Sequence, residues 1–82
     1  MTTAQIYFEE GRYNVEIADD GVLVFERTYG SQYGAASACL SYGCDMALLM
    51  VNGECAYSVD RARLEDVAQH GVSFDGSVED VY

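Results

Sequence analysis

The stretch IYFEEGRYNVEIADDGVLVFE, residues 6–26, decides the fold because two turn signals separate three runs of strand-forming residues. A two-residue turn at 10–11 gives a register in which the apolar side chains of the first two strands share one face. These side chains are Ile6, Phe8, Tyr13 and Val15. Glu9 and Arg12 then face each other beside the turn, and this opposite-charge pair favours the same register.

The second turn signal, at 19–21, allows two loop lengths. A two-residue loop would mix the two faces and bury Glu26, and an unpaired buried carboxylate is costly. A three-residue loop, with Gly21 in the left-handed conformation, instead pairs Val15 with Phe25 and leaves Glu26 outside. We therefore predict a meander of three strands, at 4–9, 12–18 and 22–28.

The rest of the chain predicts a helix, a hairpin and a second helix. Ser31 is a typical helix N-cap, and Gly43 suits the left-handed position that follows a last helical turn. The Asn-Gly pair at 52–53 is the preferred sequence of a type I′ turn, so it predicts a hairpin. Asp60 then caps a helix that ends at Gly71.

Pairing across the 52–53 turn assigns alternate residues to two faces. The predicted inner set is Leu48, Met50, Cys55, Tyr57 and Val59. The predicted outer face of the whole sheet mixes apolar and acidic residues: Tyr7, Val22, Val24, Leu49, Val51, Glu9, Glu16, Glu26 and Glu54. Such a face is a candidate binding surface. The alternatives are ordinary solvent exposure and a homodimer contact.

The element order βββ-α-ββ-α predicts an α+β fold, an antiparallel sheet of about five strands with two helices on one face. Eighty-two residues form a single domain, 1–82, in which 71–82 is predicted to be a short strand at 72–74 and a frayed tail. No apolar run approaches the roughly 20 residues of a membrane span, and the first residues lack the basic segment of a signal peptide. We expect a cytoplasmic protein without membrane contact.

The cysteines and the single histidine do not form a recognisable catalytic or metal-binding motif. Cys39, Cys44 and Cys55 are odd in number and have neither disulfide-framework nor zinc spacing, so we expect small buried hydrophobes. The alternative is a surface cysteine that couples two copies. His70 is expected at the exposed end of the second helix, with a Cys55–His70 nucleophile pair as the enzymatic alternative. We expect no enzyme activity, no metal and no cofactor.

Net charge is the most unusual property of the composition. Fourteen acidic residues and four arginines, with no lysine, give −10 at pH 7. This charge argues against direct nucleic-acid binding, because phosphates would be repelled. A duplex carries about 18 charges over ~30 Å, so the chain has about half the charge density of DNA. Partial competition for a basic groove is therefore feasible, while a salt-adapted proteome is the other explanation of the acidity.

The segment EEGRYNVEIADDGVLVFE, residues 9–26, resembles the acidic N-terminal hairpins of phage-encoded inhibitors of host defence, in particular anti-CRISPR proteins. The small size, acidity and architecture of the whole chain are similar to that class as well. The resemblance implies a non-enzymatic protein that acts in the host cytoplasm and occupies the DNA-binding surface of a Cascade-type CRISPR surveillance complex. The sequence is compatible with a monomer or a homodimer. The implied partner-binding residues are Tyr7, as an apolar anchor, with Glu9, Glu10, Glu16, Asp19, Asp20 and Glu26.

Two further functions fit the same sequence. An antitoxin-like or regulatory module would use the sheet to cover a toxin or another protein partner. A small acidic structural protein from a salt-adapted source would carry its charge as a property of the whole proteome. A toxin gene beside the coding sequence would indicate the first of these, and folding that depends on molar salt would indicate the second.

Overall fold

A computed structural model describes residues 1–74 of the chain, except the side chain of Tyr57. The predicted α+β class and the order βββ-α-ββ-α are confirmed. The elements are β1 (Thr2–Glu9), β2 (Arg12–Asp19), β3 (Val22–Tyr29), α1 (Gln32–Ser41), β4 (Met46–Val51), β5 (Glu54–Asp60) and α2 (Arg61–His70).

The five strands form one sheet in the order β3-β2-β1-β4-β5. The prediction of a purely antiparallel sheet was wrong, because β4 pairs with β1 in parallel. The cause is α1, which carries the chain from the edge strand β3 to the far side of β1, and such a crossover returns the next strand in parallel orientation. The other three pairings are antiparallel.

The first hairpin has the predicted register. Glu9 pairs with Arg12 and Phe8 with Tyr13, while Glu10 and Gly11 both have positive φ angles (52° and 76°), as a type I′ turn requires. Ile6, opposite Val15, is fully buried, which confirms the predicted core face.

The second hairpin corrects the predicted loop length. Asp20 and Gly21 form a two-residue turn with φ angles of 51° and 85°, and the ladder then skips Val24. This bulge restores the alternation, so Phe25 rejoins the core face and pairs with Ile17 rather than Val15. The prediction gave the right faces for Phe25 and Glu26, but its register was wrong by two residues. Before the bulge the faces are reversed, because Leu23 pairs with Ala18, and Val22, predicted on the outer face, pairs with Asp19 on the helix-covered side.

The third hairpin has the predicted turn at 52–53 but different faces. A bulge at Ala56 separates the pairs Met50–Cys55 and Leu49–Tyr57. The helix-covered side of β4 therefore carries Ala47 and Leu49, which are buried, and not Leu48 and Met50 as predicted. The run MALLMV is apolar at every position, so its sequence does not indicate which side faces the core.

Both helices begin and end where the sequence predicted. The Ser31 Oγ accepts a hydrogen bond from the Gly34 N–H at 3.2 Å, and the Asp60 Oδ1 accepts one from the Arg63 N–H at 2.9 Å. Gly43 and Gly71 follow the helices in the left-handed conformation, with φ angles of 70° and 66°.

The core lies between one face of the sheet and the two helices. Its buried residues include Ile6, Val15, Ile17, Ala36, Cys39, Leu49, Val59, Leu64 and Val67. Phe74 closes one end, where its N–H donates to the Gln32 Oε1 at 2.7 Å. The strand predicted at 72–74 is only a single bridge residue, Val72, and the predicted frayed tail lies outside the described residues.

Candidate binding surface

The face of the sheet opposite the helices, which we call the open face, is not covered by any element of residues 1–74. Two rows of side chains cross it from β3 to β5. The first row is Glu26, Glu16, Gln5, Leu48 and Ser58, and the second is Thr28, Asn14, Tyr7, Met50 and Cys55. Glu9 and Arg12 lie beyond the second row, next to the first turn. The β2–β3 half is polar and acidic, and the β4 part is apolar.

Two carboxylates oppose each other on the acidic half. Glu16 and Glu26 are direct cross-strand partners, an arrangement that destabilises a sheet when both are charged. A hydrogen bond with Glu26 is the main cause that raises the pKa of Glu16 above its ordinary value, and partial desolvation and the Glu26 charge raise it further. These two residues, called the acid pair below, repel each other whenever both carboxyl groups are charged.

Tyr7 links the acid pair to the apolar part of the open face. Its hydroxyl has two acceptors within reach, the Gln5 Oε1 and the Glu16 carboxylate, and one proton to donate. Desolvation is the largest cause that raises the pKa of Tyr7, followed by the nearby charge of Glu16. The phenol therefore stays protonated at neutral pH and acts as a donor beside the acid pair.

Residues 1–74 supply no cation to the acid pair. Within residues 1–74 none of the four arginines forms a salt bridge with a carboxylate. Arg27 follows Glu26 in the chain, but its guanidinium carbon lies 5.7 Å from the centre of the Tyr29 ring. Arg12 pairs in register with Glu9 and not with Glu16. The negative charge of the acid pair is thus uncompensated within the described part of the chain.

Two shallow grooves flank these residues on the open face. One, of about 260 Å³, is lined by Thr3, Gln5, Glu16, Ala18, Gly21 and Leu23. The other, of about 290 Å³, is lined by Tyr7, Phe8, Glu9, Met50, Asn52 and Gly53. Each groove combines a carboxylate with apolar walls. That composition suits a long cationic side chain, whose methylene groups bind apolar surface while its charge meets an acid.

The seven residues expected to bind a partner fall into three places. Tyr7, Glu9, Glu16 and Glu26 share the open face, and Glu10 lies in the turn beside Glu9. Asp19 is the last residue of β2 and Asp20 follows it in the turn, so both lie at the end of the sheet away from the first turn, next to the amino terminus.

Asp20 interacts with a cation of its own chain. Its Oδ1 accepts a hydrogen bond from the Met1 ammonium group at 2.6 Å, and Asp19 lies 4.0 Å from the same group. The hydrogen bond, with the ammonium charge, lowers the pKa of the Asp20 carboxyl and raises that of the amine. The structure therefore separates these two aspartates from the acid pair, both in position and in electrostatics.

The sequence prediction missed part of the open face. Leu48 and Met50 were assigned to the core, whereas Leu49 and Val51 were assigned outside, because the bulge at Ala56 was not foreseen. Cys55 is likewise exposed on the open face and not buried as expected, while Cys39 and Cys44 are buried as expected. The bulge at Ala56 has no reliable sequence signature, so the sequence predicted the turn at 52–53 but not the faces of the strands beside it.

The described part of the chain lacks the features of a metal centre and of a membrane-spanning helix. Residues 1–74 contain no group of three or more His, Cys, Asp or Glu side chains that could hold a metal ion. None of the described helices has the length and apolar character needed to cross a bilayer. No family model matches the chain, no curated protein matches its sequence and no solved structure matches its fold.

Proposed function

We propose that this protein is a non-enzymatic inhibitor that binds a basic, nucleic-acid-binding surface of another protein through its open face. The class of partner is the one the sequence suggested, a Cascade-type CRISPR surveillance complex whose target-DNA binding would be blocked. The observation that carries the proposal is the acid pair, Glu16 and Glu26, which repel each other and have no cation of their own among residues 1–74.

A partner arginine would relieve this repulsion. A guanidinium group between the two carboxylates forms charge-assisted hydrogen bonds with both, and these are the stronger class of hydrogen bond in proteins. Binding would lower the pKa of Glu16, because a nearby cation favours the charged form. The cost of opposing two carboxylates in the free protein is thus recovered in the complex, which favours a cationic partner over a neutral one.

The rest of the open face supplies contact area. Tyr7 is half-buried in the middle of the surface, with Met50 and Leu48 beside it. Aromatic and methionine side chains are enriched in the centres of protein interfaces, where charged rims surround them. Nucleic acid is not the expected ligand, because a surface with a net charge of −10 repels phosphates.

A competition assay tests the proposal. Fluorescent target DNA is titrated with a purified Cascade-type complex, and the protein is then added at increasing concentration. We expect wild-type protein to displace the DNA and the double variant E16Q/E26Q to lose this effect by about tenfold or more, since two charged contacts are removed. The double variant D19N/D20N is the matched control, because it removes the same charge at the other end of the sheet.

Three results of this assay would count against the proposal. Wild-type protein that leaves the DNA bound would reject a Cascade-type partner. Equal losses in the two double variants would show that total charge matters and the open face does not. An affinity that stays constant between 50 and 500 mM salt would exclude docking by exposed charges, because such contacts are screened. Circular dichroism of each variant verifies that it is folded.

A further inference from the structure

The outer edge of β3 carries an unusual concentration of exposed apolar surface. Val22, Leu23 and Val24 are 64%, 57% and 48% exposed. Tyr42, which follows α1 and is 44% exposed, packs its ring against the ring of Phe25 in β3, with the two centroids 4.8 Å apart. Among the side chains that the structure describes, the only other large exposed hydrophobics are Met1 and Tyr33.

This edge is also open for backbone pairing. β3 is the outermost strand and pairs only with β2 among the described elements. After the bulge at Val24 its ladder is regular from Phe25 to Tyr29. The strand contains no proline and no lysine, and its only charged residues are Glu26 and Arg27. A second extended segment could therefore add to β3 through main-chain hydrogen bonds.

We infer that the partner binds as an extra strand along the outer edge of β3, through an extended segment in which basic and apolar residues alternate. This inference rests on the proposed function and specifies the form of its partner. Residues of the added strand alternate between the two faces of the sheet. One set lies beside Glu26 on the open face, within reach of Glu16, and there basic side chains fit. The other set lies beside Phe25 and Tyr42, where apolar side chains fit.

Charge complementarity favours this occupant over a second copy of the chain. Two copies would bring together two chains with a net charge of −10 each. Symmetric antiparallel pairing centred on Glu26 would place that residue against its own copy, and pairing centred on Arg27 would oppose two arginines. A strand with basic residues on one side and apolar residues on the other avoids both conflicts.

The test uses a synthetic peptide of alternating arginine and valine, eight residues long, as the probe. A second peptide has the same sequence with N-methylated backbone amides, so it keeps every side chain and charge but donates no main-chain hydrogen bonds. Binding is followed by NMR of isotope-labelled protein and by amide hydrogen exchange of β3. We expect the first peptide to protect β3 amides and to bind at least about tenfold more tightly than the second, because several hydrogen bonds are lost.

Each other outcome overturns the strand-addition inference in a recognisable way. Equal binding of both peptides, with both weakened in E16Q/E26Q, would mean that the acid pair binds cations without strand pairing, and the proposed function would stand. No binding of either peptide would reject the added strand, and the DNA competition would still decide the function. If the free protein is a dimer whose β3 amides are already protected, the edge of β3 pairs with a second copy of the chain and not with a partner segment.

Discussion

At the scale of single residues, the three cysteines differ in accessibility. Cys39 and Cys44 are buried at the end of α1, and desolvation raises the pKa of Cys39 to about 12 and also raises that of Cys44. Cys55 is exposed on the open face. Since the thiolate is the reactive form, iodoacetamide at pH 8 should modify Cys55 quickly and the other two only after unfolding, as mass spectrometry of the intact protein would record.

The substitution Cys55→Ser provides the control for this prediction. The variant should show no rapid modification in the folded state and two modified thiols in denaturant. Rapid labelling of the variant would mean that the end of α1 opens easily, and the packing described for Cys39 and Cys44 would then be wrong.

The acid pair should make the stability of the fold depend on pH. Glu26→Gln removes the repulsion and should stabilise the fold by about 0.5 kcal/mol at neutral pH, in the range of cross-strand pairs at exposed positions. Because folding raises the pKa of Glu16, its protonated form favours the folded state. This contribution to the free energy of unfolding is fully present below the ordinary pKa of 4.5 and is lost as the pH rises through the raised value. The gain in Glu26→Gln should therefore be near zero below pH 4.5 and grow toward neutral pH.

Urea unfolding at several pH values measures this difference. Glu9→Gln is the matched control, because it removes one carboxylate whose cross-strand neighbour is the oppositely charged Arg12, so it should not stabilise the fold. If Glu26→Gln were no more stable than wild type at pH 7, the repulsion expected from the structure would be absent. The acid pair would then no longer support the proposed binding of a cationic partner.

At the scale of secondary-structure elements, the contact between α1 and β3 depends on one glycine. A Cβ atom added at Gly34 would lie 2.9 Å from the Cδ1 and 3.4 Å from the Cβ of Tyr29. Alanine would gain about 1 kcal/mol of helix propensity, but overpacking costs about 1–3 kcal/mol. We expect Gly34→Ala to be destabilising by about 1 kcal/mol in chemical denaturation.

A double-variant cycle identifies the cause. In a Tyr29→Ala background the clash is absent, so Gly34→Ala should become stabilising through helix propensity alone. A gain in stability in the wild-type background would show that the ring of Tyr29 moves aside at little cost, and that glycine is not required there for the close approach of α1 to the sheet.

The elements also show which parts of the fold the sequence could predict. The three hairpin turns, the two N-caps and the left-handed glycines after the helices depend on local chemistry within a few residues. Each is at its predicted place, except that the second turn is one residue shorter. The bulges at Val24 and Ala56 depend on packing across the sheet, which no short segment encodes. The parallel pairing of β1 and β4 has the same origin, because it follows from the path of the crossover.

These tertiary effects limited the prediction of the binding surface as well. Tyr7, Glu9, Glu16 and Glu26 alternate correctly and were assigned to the outer face. Their direct opposition in the acid pair required the bulge at Val24, which shifts Glu26 opposite Glu16. The aspartates at 19–20 belong to the other end of the sheet, where the amino terminus interacts with them, and the position of the terminus was not predictable from local sequence.

At the scale of the whole molecule, the open face is the side through which we propose that a basic partner binds. Residues 1–74 form a sheet with helices on one side and exposed carboxylates at several sites, including Glu65 on α2 and Asp45 before β4. A partner bound through the open face should cover some of these carboxylates and leave others accessible.

Carbodiimide footprinting of carboxylates, read by peptide mass spectrometry, tests this claim most directly. The protein is labelled with glycine ethyl ester alone and in complex with a Cascade-type partner. We predict that modification of Glu16 and Glu26 falls by at least about tenfold in the complex, whereas Asp45, Glu65 and Asp20 are modified as in the free protein. Unchanged labelling of the acid pair, or protection of Glu65 in its place, would contradict the claim.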